Sequence, residues 1–129
     1  AARDRPPEAW DRVAEAHSVA GDQATWFAEV GARVAGMVSA FRTADGAVTM
    51  TSLWTAPEFR RSGVADALVG EVRGWAVALG APEVRQWLVE RNRHAREFHA
   101  GLGFLPTGEE RRYEPSPDIR EVELRLPLP

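Results

Sequence analysis

The sequence predicts a single α/β domain built on a mostly antiparallel sheet with one parallel strand pair. Three observations carry that expectation. Apolar residues alternate with period two over several short runs, as strands with one buried face require. Other runs show helical spacing and so read as amphipathic helices. Their order is helix, three strands, helix, strand, helix, then one or two strands, and a strand–helix–strand unit brings its two strands together in parallel.

Taken in order, Pro6-Pro7-Glu8 reads as a helix start, because proline is tolerated where its missing N–H has no partner. Trp10, Val13, Ala14 and His17 follow at helical spacing, so a helix is expected over Pro6–Ala20, stopped by Gly21. From Ala24 the period changes to two. Trp26, Ala28 and Val30 alternate with Thr25, Phe27 and Glu29 in a first strand. Gly31-Ala32 turns into a second strand, about Arg33 to Phe41, and Asp45-Gly46 is a hairpin signal. A third strand runs from about Val48 to Ala56, where Pro57 ends it, and the three should form an antiparallel meander.

Val64, Leu68, Val72, Trp75 and Leu79 share one face of a long helix from about Gly63 to Leu79, closed by Gly80. Glu83 to Val89 is a short strand expected to lie parallel to the third. Asn92 to Leu102 is a further helix, and Gly103-Phe104 leads into Arg-rich β structure. Arg120 to Leu126 alternates cleanly as a last strand.

Composition narrows the function. At 129 residues the chain can bury one core and is too short for two. Cysteine is absent, which excludes disulfides, thiolate metal sites and an acyl-cysteine intermediate. All 16 basic residues are arginine. Without lysine there is no Schiff base and no P-loop lysine, so pyridoxal-phosphate and Walker-type chemistry are out. The Arg and Ala richness fits a bacterial origin. A net charge of -3 is a poor balance for a nucleic-acid binder. No apolar run is long enough for a membrane span, and no signal peptide opens the chain, so a cytoplasmic protein is expected. His94 and His99 do not share a helix face and no carboxylate pattern completes a metal site, so no metal is expected.

The informative junction is Arg60-Arg61-Ser62-Gly63-Val64-Ala65, where a strand has ended and a helix begins. The first turn of a helix presents unpaired N–H groups and a partial positive charge, so an anion is stabilised there. Gly63 lets an anion reach the backbone, Ala65 keeps the next turn open, and two arginines stand beside it. The same residues also make a plain helix start with solvated arginines.

Those six residues resemble the Arg/Gln-x-x-Gly-x-Gly/Ala signature of the GNAT superfamily of N-acetyltransferases. Farther on, Asn92-Arg93-His94-Ala95-Arg96-Glu97-Phe98-His99, ending at Gly103-Phe104, resembles its second signature, Asn-x-x-Ala-x-x-Phe-Tyr-x-x-x-Gly-Phe. Thr107-Gly108 follows as the family tends to show. The resemblance covers about Ala24 to Leu126 and implies an α+β three-layer fold with a splayed parallel strand pair, flanked by helices. It also implies an acetyl-CoA-dependent N-acetyltransferase acting by direct transfer. Backbone N–H groups from Arg61 through Ser62, Gly63, Val64 and Ala65 would hold the pyrophosphate of acetyl-CoA, with Arg60 and Asp66 flanking them. The strand at Leu53, Trp54 and Thr55 would pair with the pantetheine arm. Asn92, which also suits a helix N-cap, would bind the cofactor through its amide. Arg96, with Arg91 and Arg93, would attract its 3′-phosphate or form a solvated helix face.

Two departures from the pattern stand out. The family's tyrosine, which protonates the departing thiolate, is replaced by His99; an imidazole can do this work, or it simply packs. The strand and helix that normally open the fold are expected to be missing, leaving residues 1–129 as one N-terminally incomplete domain. Glu29 and Glu90 are candidate general bases, each also readable as a solvated carboxylate. Trp54 either walls the acceptor pocket or joins the core. The acceptor would be a small-molecule amine or a peptide or protein amine, with neither nucleic acid nor membrane as partner. A homodimer paired through the last strands is in keeping with such a fold. A catalytically weak acyl-CoA-binding or regulatory module is the rival reading, motivated by those two departures.

Overall fold

The computed structural model describes residues 13–17 and 21–129, with side chains from Gly21 onward. Seven strands form one sheet: β1 (Val13–His17), β2 (Gln23–Val30), β3 (Arg33–Arg42), β4 (Val48–Thr55), β5 (Glu83–Val89), β6 (Leu105–Tyr113) and β7 (Ser116–Pro127). Their order across the sheet is β1-β2-β3-β4-β5-β7-β6. Helix α1 (Val64–Ala78) joins β4 to β5, and α2 (Arg93–Gly101) joins β5 to β6. Only β4 and β5 pair in parallel, as the α1 crossover dictates. No described helix is long and apolar enough to cross a membrane.

One expected element is corrected. Val13–His17 is a strand, paired antiparallel with β2 from Val13↔Ala28 to His17↔Ala24, and not part of a helix. Pairing with the free edge of β2 satisfies a row of backbone groups that a helix there would leave open, and this outweighs the local spacing. The rest of the expected helix, including Trp10, lies outside the described residues. The position beside β2, where no strand was expected, is therefore filled by this segment.

Residues directly opposite one another in a sheet share a face. Ala24, Trp26 and Ala28 of β2 lie across from Ala40, Val38 and Gly36 of β3, and all six are buried. The same face continues through Val48 and Met50 of β4, Val84 and Leu88 of β5, and Leu124 and Leu126 of β7. Onto it α1 lays Val64, Leu68, Val72 and Ala76, with Trp75 meeting Trp26 edge to face at 5.7 Å. Phe98 of α2 and Leu102, its C-cap, pack against this core, and Phe104 joins it.

The β3–β4 turn is tied to β5. Asp45 accepts from Thr43 Oγ1 and from the Ala47 N–H (3.2 Å), and pairs with Arg85 at 2.9 Å. These bonds, Thr43 first, hold its carboxyl at about 2, below the ordinary 3.8.

Gly36 sits in a close approach of three elements. A Cβ there would lie 2.7 Å from the Trp54 carbonyl oxygen, 2.8 Å from Val64 Cγ1 and 3.1 Å from Leu68 Cδ1. Only a hydrogen lets β3, the end of β4 and the first turn of α1 meet this closely. Gly36→Ala should therefore destabilise the domain by about 1–3 kcal/mol, the usual cost of overpacking a core. Chemical denaturation checks this, and an unchanged midpoint would show that the junction yields freely.

Candidate active site

β4 and β5 are paired only from Val48↔Val84 to Met50↔Gln86. Beyond that row the two strands part and leave an open fork. The cause lies on the other side of β4. There Thr51 opposes Ser39 and Trp54 opposes Met37, so Val38 alone spans both Ser52 and Leu53. This bulge places an extra residue in β4 and bends it. Ser52 takes the left-handed conformation (φ 58°), uncommon for a residue with a Cβ. The backbone of Leu53, Trp54 and Thr55 thus runs along one wall of the fork with no β5 partner.

The turn after β4 is braced. Arg33 pairs with Glu58 and sits 5.6 Å over the Phe59 ring, fixing the 3-10 turn Pro57–Phe59 against β3. The Ser62 hydroxyl donates to the Phe59 carbonyl. Arg61 (φ 62°) and Gly63 (φ 86°) are both left-handed, and that reversal aims the chain into α1. Its N-cap, Gly63, makes no side-chain cap bond. Its first intrahelical bond runs from the Ala67 N–H to the Gly63 oxygen at 3.0 Å. The N–H groups of Val64 and Ala65 precede it, with Asp66 in the same turn. Arg60 and Arg61 are exposed beside them. A left-handed glycine, an uncapped helix start and two arginines make a cradle suited to a pyrophosphate.

The sequence matches the Acetyltransferase (GNAT) family over residues 2–104. The chain belongs to the GNAT acetyltransferase family. Its fold superposes on nourseothricin acetyltransferase with a TM-score of 0.78 at 24% identity, covering 84% of this chain and 66% of that one. A protein assigned as a streptothricin acetyltransferase from Bacillus anthracis, in complex with acetyl coenzyme A, gives 0.76 at 17% identity, covering 84% and 64%. A Bacillus subtilis acetyltransferase in complex with CoA gives 0.72 at 17% identity, covering 84% and 78%. This chain therefore spans just under two thirds of the first two. No curated protein matches the sequence.

The second GNAT signature lies on α2 and its approach. Asn92 caps the helix, its Oδ1 accepting from the Ala95 N–H at 3.1 Å, which leaves its exposed NH2 group directed outward as a donor. Arg96 is exposed and donates through Nη1 to the Glu90 carbonyl at 2.8 Å, so it braces the end of β5. Arg93 is paired with Glu97 at 3.1 Å, and Arg91 is exposed. Glu90 stands at the fork mouth. Its N–H bonds the Arg120 carbonyl at 2.8 Å, and its carboxylate lies 3.9 Å from the Arg120 guanidinium. Glu29 is half-buried on β2, two strands away from that wall, beside a register shift. The two carboxylates are not brought together. Trp54 is 46% exposed and so stands outside the core.

His99, for which the sequence left both a proton donor and a packed side chain open, is buried. It is only 2% exposed and sits edge to face between Phe98 (5.3 Å) and Phe104 (5.0 Å). Nδ1 lies 2.8 Å from the Ala95 carbonyl, an acceptor only, so Nδ1 carries the proton. Nε2 is then an acceptor, and it is buried without a partner. Burial pushes the imidazole pKa down, against a smaller upward pull from the Ala95 bond. At neutral pH His99 holds no spare proton for a thiolate.

Sequence reasoning also passed over Gln86, which is buried on β5 at the last row before the fork. The signal was present, since alternation puts Gln86 on the same face as Val84 and Leu88.

The His99 environment sets a pH dependence. Its folded pKa is below the ordinary 6.5, so the unfolded chain takes up the proton first as pH falls. Its contribution is intact above that value and is lost on the acid side. His99→Phe should therefore show a smaller fall in melting temperature than wild type between about pH 7.5 and pH 5. Equal falls would place the acid sensitivity elsewhere.

Proposed function

We propose that this domain is an acetyl-CoA-dependent N-acetyltransferase that passes the acetyl group directly to a primary amine of a small molecule or peptide. The observation that carries the reading is the uncapped α1 start with left-handed Gly63 at the open end of the β4–β5 fork. Fold neighbours solved with acetyl coenzyme A and with CoA support it. The residues fit the donor: N–H groups from Arg61 to Ala65 hold the pyrophosphate, and Arg60 and Arg61 supply charge. Asn92 donates from its free amide, and Arg96 steadies the adjoining loop. The unpaired backbone of Leu53–Thr55 lies along the pantetheine arm and meets the developing charge on the acyl oxygen.

Acetyl-CoA supplies an activated thioester. In the transfer a C–N bond forms at the acetyl carbon, the C–S bond breaks, the nitrogen loses one proton and the thiolate gains one. Glu90, at the fork mouth, is better placed than Glu29 to take the nitrogen's proton, directly or through water. Water protonates the thiolate, a weak base whose thiol pKa is about 8.5. His99 then acts as a packed hydrogen-bond acceptor and not as the acid. Antibiotics bearing a free primary amine are a natural first acceptor class, given the likeness to nourseothricin acetyltransferase. The buried, neutral His99 also favours a second reading, an acyl-CoA-binding module without turnover.

Saturating acetyl-CoA should raise the melting temperature. A ligand that binds only the folded state adds about 2.7 kcal/mol at 100 times its Kd. Gly63→Glu, which places a carboxylate in the cradle on a left-handed residue, should abolish the shift while the protein stays folded. No shift in wild type would refute cofactor binding. A shift without CoA release across an amine panel would select the binding module. In a turning-over enzyme His99→Phe should keep kcat within about tenfold, the lower bound of what a lost acid–base group costs being about a hundredfold.

A further inference from the structure

Among the described residues, two buried side-chain atoms have no hydrogen-bond partner: Oε1 of Gln86 and Nε2 of His99. Both are acceptors. Gln86 Nε2 donates to the Trp87 carbonyl at 3.1 Å, which fixes the amide so that its oxygen is left over. His99 donates through Nδ1, as described above. Gln86 is 9% exposed and His99 2%. Buried polar groups in folded proteins are nearly always paired, so each unpaired acceptor is a departure that calls for a donor.

The place of Gln86 in the fold says where its donor comes from. Gln86 faces Met50 on one side and Leu124 on the other, in the last row before β4 and β5 part. It forms the floor of the fork. Pro106 of β6 continues the same row. His99 packs elsewhere, against Phe104, whose ring it meets at 5.0 Å and which precedes the Leu105↔Arg125 pair on the closed side of the Gln86 row. No bond joins His99 to Gln86, and two acceptors could not satisfy each other. Both row partners of Gln86 are apolar, and its amide bonds only the carbonyl of the next residue, so the oxygen is left without a donor in the free fold.

We infer that Gln86 is a donor-substrate contact: its carboxamide oxygen accepts a hydrogen bond from an amide N–H of the pantetheine arm when that arm occupies the fork. The inference rests on the acetyl-CoA reading and adds a side-chain contact from β5 to the backbone contacts of β4.

The test compares wild type with Gln86→Leu, using acetyl-CoA and adenosine 3′,5′-bisphosphate, which lacks the arm, as calorimetric ligands. Gln86→Leu should bind acetyl-CoA about three- to tenfold more weakly, the range for one lost hydrogen bond. Its affinity for the bisphosphate should be unchanged. In the free protein the substitution removes an unpaired carboxamide oxygen but also the donor to the Trp87 carbonyl, so its melting temperature should change little. Weaker binding of acetyl-CoA with unchanged binding of the bisphosphate is a pairing that a purely structural role would not give. Equal acetyl-CoA binding by both proteins, or equal weakening toward both ligands, would overturn the inference and leave the acetyl-CoA reading standing. Failure of wild type to bind acetyl-CoA would overturn both. Gln86→Met serves the same comparison should the leucine variant not fold.

Discussion

The parting of β4 from β5 is the constraint on which the rest of the molecule depends. A parallel pair joined by a helix would ordinarily keep its ladder to the strand ends. Here the ladder stops at Met50↔Gln86 because β4 has one residue too many against β3 and turns aside at Ser52. The bend leaves a stretch of main chain on β4 that must find partners outside the fold. It also carries Thr55 to Gly36, where β3, β4 and α1 approach one another closely. The opening of the fork and the placement of the α1 start are thus one piece of geometry. A left-handed serine in mid-strand costs backbone energy, and such costs persist where surrounding packing enforces them.

Much of the scaffold was legible in the sequence because its signals are local. β5 runs over Glu83–Val89 as the alternation requires, and α1 and α2 lie within a residue or two of the spans that apolar spacing and terminal glycines set. Val13–His17 was misread because Val-Ala-Glu-Ala-His satisfies either period, and what decides it is the open edge of β2. The fork was not legible in local periodicity and was expected only through the family resemblance. It depends on a bulge with no glycine to announce it and on a contact between Gly36 and a carbonyl in another strand. The GNAT resemblance supplied what local physics left open.

The candidate site divides in the same way. The Arg61–Ala65 turn could be read directly, since glycine and a helix start are visible in six residues. The role of Asn92 as a cap was equally visible, and the structure shows it without removing the NH2 group from service. Arg96 and Glu90 could not be resolved by sequence, because each is defined by a main-chain partner: Arg96 by the Glu90 carbonyl, and Glu90 by the carbonyl of Arg120 on β7.

His99 shows why a motif position does not fix a chemical role. A tyrosine hydroxyl can both accept and donate, rotating about one bond to suit. An imidazole with Nδ1 committed to a carbonyl offers only a lone pair at Nε2, unless it is protonated, and burial opposes that charge. The substitution therefore changes the sense of the hydrogen bond offered at that depth, from donor to acceptor. Gln86 on β5 likewise keeps an acceptor without a donor. The free fold gains nothing from leaving either atom unpaired, so a sequence that keeps both polar side chains in buried positions breaks a local rule that packing alone would have enforced.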